Sequence, residues 1–198
     1  MRCFIAIDLP EEARKEIARI QAKINSEVEM KANWVKPELL HLTLRFLGEI
    51  NDFRVNQIKE LLKGQSGQNI QSNQSLSGLG GLSGLSFEAR LNGLGTFPSE
   101  SFIRVLWIGL EPREKFKALH ELIDRQLEKI KIKPDKQFEA HVTLARIKWL
   151  KDKREFLEKI KKIKPEPISF KIDEIKLKKS TLTRDGPIYE DIITIKLK

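Results

Sequence analysis

The feature that most constrains this chain is an internal repeat. His41-Leu42-Thr43-Leu44 and His141-Val142-Thr143-Leu144 stand 100 residues apart. Each is preceded by an apolar segment that runs into a proline, Phe4–Leu9 before Pro10 and Ile103–Leu110 before Pro112. A helical spacing follows each proline: Ile17, Ile20 and Ile24 in the first half, Phe116, Leu119, Leu122, Ile123 and Leu127 in the second. Both halves therefore read strand, proline-initiated helix, strand, helix, strand. Strands are expected over 2–9, 39–47, 87–94, 102–110, 138–147, 168–177 and 188–197, with shorter helices over 51–63 and 152–163 and a turn at Asp185-Gly186-Pro187. Self-similarity on this scale decides architecture. It predicts a single domain, 1–198, of two pseudo-symmetric lobes at approximately 1–98 and 101–198.

The repeat is interrupted once. The strands that begin near Phe87 and Phe170 are only 83 residues apart, so 17 residues of register are lost between the two halves. The segment 64–84 is close to that length. In it, 17 of 21 residues are Gly, Ser, Asn or Gln and none is charged, which leaves little apolar surface to offset the entropy of ordering. It is expected to be a flexible low-complexity loop inserted into one half. Its glycine spacing matches neither a Walker loop nor a dinucleotide fingerprint.

Within the repeat, the histidine motifs carry the chemistry. The chain has three histidines and six threonines, and two of the histidines fall in His-x-Thr-Leu at matching points of the two units. Successive residues of a strand alternate faces, so His41 and Thr43 share one face and Leu42 and Leu44 the other, as do His141 and Thr143 opposite Val142 and Leu144. An approximate two-fold relation between the lobes would bring two imidazoles and two hydroxyls around one ligand. Phosphodiester cleavage without a metal needs one neutral imidazole to take a proton and one imidazolium to give one, and histidine serves either role near neutral pH. The hydroxyls would donate to phosphate oxygens as charge builds there. The residues demand one acid and one base without saying which is which. His120 lacks the motif; it is expected on a helix surface with no role.

Composition removes other classes. No apolar run approaches the roughly 20 residues that span a bilayer, and the apolar start is too short for a secretory signal before Asp8 and Pro10. A cytoplasmic protein with no membrane partner is expected. A single cysteine, Cys3, excludes an internal disulfide framework and a multi-cysteine metal site. No metal site is expected among the histidines either, since none are paired at i, i+4. The formal charge of +9 favours a polyanionic partner, although a lysine-rich solvated surface gives the same surplus.

Trp34-Val35 ahead of His41-Leu42-Thr43-Leu44-Arg45-Phe46-Leu47-Gly48, the segment Arg104–Gly109 and His141-Val142-Thr143-Leu144-Ala145-Arg146 resemble the 2H phosphoesterase superfamily. The likeness is strongest to its RNA 2′,3′-cyclic phosphodiesterase branch, also called 2′-5′ RNA ligase. Lys179–Leu182 and Gly186–Tyr189 fit as well, and the likeness spans nearly the whole chain apart from 64–84. It implies an α+β fold that is bilobal and duplicated, with two antiparallel sheets facing a central cleft and helices on the outside. It implies hydrolysis of RNA or nucleotide 2′,3′-cyclic phosphate ends to 2′-phosphomonoesters, with no cofactor and no metal. A monomer is expected. In that assignment His41 is the proton donor, His141 the proton acceptor, and Thr43, Thr143 and Arg146 bind phosphate. Phe46 stands where Arg146 stands in the other half. Trp34, Phe46 and Tyr189 are candidates for stacking on a base, with core packing as the competing role. Reverse chemistry, joining RNA ends as a 2′-5′ linkage, is the alternative activity, and a non-catalytic RNA-binding module is the alternative class.

Overall fold

In the computed structural model, which describes residues 1–63, 85–135, 137–184 and 186–197, the strands of both halves join one antiparallel sheet. In chain order the strands are β1 (Arg2–Asp8), β2 (Met30–Trp34), β3 (His41–Glu49), β4 (Phe87–Pro98), β5 (Ile103–Glu111), β6 (His141–Leu150), β7 (Ser169–Ile172), β8 (Glu174–Thr183) and β9 (Gly186–Lys196). The helices are α1 (Glu11–Glu27), α2 (Asp52–Leu62), α3 (Arg113–Glu128) and α4 (Lys153–Lys162). Pro10 and Pro112 are the residues from which α1 and α3 start, where a missing N–H and a fixed φ cost nothing. The segment 64–84 and Asp185 of the expected turn lie outside the described residues.

Strand order is β7-β4-β5-β6-β3-β1-β8-β9, with β2 against the remaining edge of β6. Two four-stranded halves meet at β6 and β3, which touch through the single pair Leu42↔Val142. The α+β architecture agrees with expectation, but the two sheets are continuous through that pair. The sheet curls until its far strands approach: the Ser86 N–H, just before β4, donates to the Leu197 carbonyl, just after β9, at 3.0 Å.

Each half of the sheet draws on both halves of the sequence. The first-half strand β4 pairs with β5, and the second-half strand β8 pairs with β1. The lobes placed at 1–98 and 101–198 therefore need correcting: the units of the repeat exchange their last strands. The expected strand over 168–177 also breaks, at Asp173, and its two pieces serve opposite ends of the sheet. β7 pairs with β4 rather than taking the equivalent position, which belongs to β8. β2 had no counterpart among the expected strands; its five residues alternate between half-buried and exposed and carry little apolar signal.

One face of the sheet packs on the helices. Leu42, Leu44, Val142 and Leu144 lie in a core with Ile17, Ile20 and Ile24 of α1, Phe116, Leu119 and Ile123 of α3, and Phe156 of α4. Burying each such side chain contributes roughly 1.5–3 kcal/mol. The opposite face, bearing His41 and His141, is left to line a cleft. Among the described residues no helix is long and apolar enough to cross a membrane.

Candidate active site

The two histidine strands are built alike. The burial pattern over His41–Phe46 is the same, residue for residue, as over His141–Arg146. Both strands carry a β-bulge at the same place: Thr43 and Arg45 face the consecutive residues Ala6 and Ile5, so Leu44 has no partner, and Thr143 and Ala145 face Trp107 and Leu106, so Leu144 has none. A bulge leaves a carbonyl out of the ladder, and a buried carbonyl needs a donor. For Leu144 it comes from Gln21 Nε2 of α1, at 2.9 Å, and from the Val35 N–H at 2.8 Å. For Leu44 it comes from His120 Nδ1 of α3, at 2.9 Å. Each bulge is thus held by the helix of the other half.

His120 is therefore not the surface residue expected from its sequence. It is 5% exposed, stacked on Phe138 with ring centroids 4.3 Å apart, and its Nε2 lies 3.4 Å from Asp124 Oδ2. Asp124 also faces Arg45 Nε at 2.9 Å, as an ion pair rather than an aligned hydrogen bond, and Arg45 reaches Asp135 and the Lys133 carbonyl. The polar stripe of α3 that reads as solvent-facing packs instead beneath β3, where Arg45 requires acidic partners.

The two motif histidines have the same anchoring. His41 Nδ1 lies 2.8 Å from the Leu39 carbonyl and His141 Nδ1 lies 2.7 Å from the Glu139 carbonyl, in each case two residues back along the chain. A carbonyl can only accept, so each Nδ1 carries a proton and Nε2 is the atom left for chemistry. His41 Nε2 lies 3.1 Å from Thr43 Oγ1. Burial pushes both imidazoles below the ordinary histidine value; for His41 the Leu39 carbonyl and Asp8 oppose that and Lys178 and His141 reinforce it, and for His141 the Glu139 carbonyl and carboxylate oppose it.

Both histidines open on one cleft of about 740 Å³, which Thr43, Thr143 and Arg146 also line. The structure thus brings together all five residues singled out by the sequence. Trp34, Phe46, Ser180 and Tyr189 line the same cleft. Phe46 is 64% exposed, so it is a wall residue and not part of the core. Tyr189 meets His41 edge-on at 5.2 Å and Phe4 at 5.0 Å; burial raises its phenol, against the charges of Arg146 and Arg2. On the other side, Phe97 meets His141 edge-on at 4.9 Å and Trp107 stands 6.0 Å from it. Trp107 lies flat over Gly95, where an added Cβ would fall 2.2 Å from the indole. Sequence reading missed Arg2, Lys36, Leu182 and Arg184 on the walls; the surplus positive charge was the one signal for the three cations. Among the described residues, no three His, Cys, Asp or Glu side chains converge as metal ligands do.

This fold and cleft are shared with solved proteins. A crystal structure of TT0787 from Thermus thermophilus superposes with a TM-score of 0.76 at 28% identity, covering 100% of this chain and 98% of that one. Apo LigT from E. coli superposes at 0.67 with 25% identity, covering 98% and 96%. The class is that of the LigT-like phosphoesterase folds. The RNA 2′,3′-cyclic phosphodiesterase of Methanocaldococcus jannaschii is 34% identical over 97% of this chain and 98% of its own length. Residues 9–183 match the 2′-5′ RNA ligase superfamily, and the chain belongs to it.

Proposed function

We propose that this protein hydrolyses the 2′,3′-cyclic phosphate at the 3′ end of an RNA to a 2′-phosphomonoester, without a metal, by acid–base catalysis between His41 and His141. The observation that carries the reading is the matched anchoring: two imidazoles in one cleft, each with Nδ1 tied to the carbonyl two residues back, which leaves Nε2 for proton transfer, that of His41 beside Thr43 Oγ1 at 3.1 Å. His141 Nε2 takes a proton from water as its oxygen attacks phosphorus. The P–O3′ bond breaks, and His41 Nε2–H gives its proton to the departing 3′ oxygen. One water is consumed, the 3′ hydroxyl is released, and the two imidazoles end with their protonation exchanged until solvent resets them. Thr43 and Thr143 donate hydrogen bonds to the non-bridging oxygens and Arg146 adds a charge-assisted contact, all strongest when the phosphorane carries its extra charge. The M. jannaschii relative, named for this reaction on RNA, supports the choice of substrate.

Product analysis tests it. An oligoribonucleotide with a 2′,3′-cyclic phosphate end, in excess EDTA, should give only the 2′-phosphate with the native protein. Turnover should fall by about 10²–10⁴-fold in either His41→Ala or His141→Ala. A 3′-phosphate product, dependence on added metal, or full activity in either folded variant would overturn it.

A further inference from the structure

The cleft has more positive charge than one reacting phosphate uses. Arg2, Lys36, Arg146 and Arg184 line it, and no Asp or Glu does among the described residues. None of the four has an ion-pair partner among the described residues, whereas cations elsewhere on the sheet are paired, such as Lys176 and Lys178 with Asp8 and Asp191, Lys179 with Glu190, and Arg90 with Glu111. A cyclic mononucleotide has a single phosphate, which the histidine motifs and Arg146 already surround.

The surplus is placed along a direction. β1 ends its pairing with β8 at Arg2↔Ser180. Beyond that rung the β8–β9 hairpin runs on alone through Thr181↔Ile188, Leu182↔Pro187 and Thr183↔Gly186. Three rungs at roughly 3.3 Å each form an arm of about 10 Å, with Arg2 at its base and Arg184 at its tip. Tyr189, the neighbour of His41, pairs with Ser180 at the base of the arm, so Arg184, past the third rung, stands at the end of the arm away from the histidines. The arm is also apolar where it faces the cleft: Leu182 is 67% exposed, its cross-strand partner Pro187 lines the cleft beside it, and Phe46 stands on the same wall. Unpaired cations interleaved with exposed apolar side chains are what single-stranded nucleic acid requires, the first for phosphates and the second for base faces.

We propose that the β8–β9 arm is a second substrate subsite, in which Arg184 and Arg2 bind a phosphodiester on the 5′ side of the reacting end and Leu182 packs against the nucleotide between. The proposal rests on the cyclic phosphodiesterase reading and adds to it the residues that distinguish an RNA strand from a cyclic mononucleotide.

The test compares a 2′,3′-cyclic mononucleotide with a tetraribonucleotide carrying the same end, in the native protein, Arg184→Ala, Arg184→Lys and Leu182→Ala. The tetranucleotide should have the higher kcat/KM, by about tenfold, the worth of a charge-assisted contact. Arg184→Ala should remove most of that preference and reduce the logarithmic salt slope on the tetranucleotide by about 0.7, the share of one phosphate on a single strand. Arg184→Lys should keep the slope, and Leu182→Ala should lower the preference without changing the slope. Equal kcat/KM on both substrates, or a preference and slope that Arg184→Ala leaves intact, would overturn the subsite. If the native protein turned over neither substrate, the cyclic phosphodiesterase reading would fail instead. Fluorescence anisotropy of a labelled tetranucleotide ending in a 2′-phosphate would then decide the subsite alone, with severalfold weaker binding expected in Arg184→Ala and unchanged binding overturning it.

Discussion

The strands β3 and β6 share a backbone and differ in what stands behind it. Both present His-x-Thr, both bulge at the following leucine, and both tie Nδ1 to a carbonyl. Behind His41 is a square of charge: Asp8 and Asp191 each contact both Lys176 and Lys178, and Lys178 is only 7% exposed. Behind His141 are Phe97 and Trp107, with the indole Nε1 enclosed and unpartnered among the described residues. Duplication supplied the geometry twice, and later divergence of the surroundings gave the two imidazoles different electrostatic settings. The proposed acid and base roles draw on that difference, because unlike surroundings favour the proton on one imidazole over the other.

The arginines make the contrast sharpest. Arg45 and Arg146 occupy adjacent positions of the repeat, and a one-residue step on a strand changes the face. Arg45 is 5% exposed and bound to Asp124 and Asp135 under the sheet, while Arg146 is exposed in the cleft. Arg45→Met should cost about 3–5 kcal/mol of stability in urea unfolding, because it leaves a buried carboxylate without its cation. Arg146→Met should leave stability within about 0.5 kcal/mol and reduce kcat/KM by about 10²-fold. Interchanged outcomes would mean that the two faces have been assigned backwards.

A smaller effect separates the two bulges. The Leu44 carbonyl depends on His120, whereas the Leu144 carbonyl has both Gln21 and the Val35 N–H. His120→Leu should therefore destabilise the protein by about 1–3 kcal/mol, the cost of an unsatisfied buried acceptor, and Gln21→Leu by about 1 kcal/mol. Equal losses in thermal unfolding would show that bulge capping does not govern these sites.

Smallest is the response to pH. The free enzyme must hold one proton beyond the two neutral imidazoles, and burial depresses both, so the alkaline limb of kcat/KM should lie below the ordinary histidine value of about 6.5. Asp8 favours the charged form of His41, so Asp8→Asn should move that limb further toward acid. Stability has the matching sign: the native state refuses protons that the unfolded chain accepts, so stability is full above about pH 6.5 and is lost as pH falls through the depressed native values. A limb at or above 6.5 in a pH–rate profile would mean that burial does not govern how the pair titrates.

Local features were legible in the sequence and long-range ones were not. Alternation along a strand and the prolines ahead of α1 and α3 depend on neighbouring residues, so the cleft-facing set of His41, Thr43, His141 and Thr143 could be read directly; Arg146 was implied by the family resemblance alone, since plain alternation puts it opposite His141 and the bulge at Leu144 is what turns it into the cleft. The exchange of β4 and β8 depends on pairs such as Arg2↔Ser180, and no local pattern encodes such a partner. The break at Asp173 was invisible for the same reason, since Phe170 and Ile175 are equally apolar whichever strand they join. His120 was misplaced because its burial is dictated by a carbonyl that a bulge displaces 76 residues away.

The strand exchange has a consequence for how the chain is made. While the ribosome is still synthesising the second half, β1 and β3 have already emerged, but the strand that covers the free side of β1 is encoded at residues 174–183. The β3 bulge likewise waits for α3. An isolated N-terminal half would keep an unpaired edge and an uncapped carbonyl, the exposures that favour aggregation over folding. The nascent chain therefore cannot complete this sheet until residues 174–183 have left the ribosome.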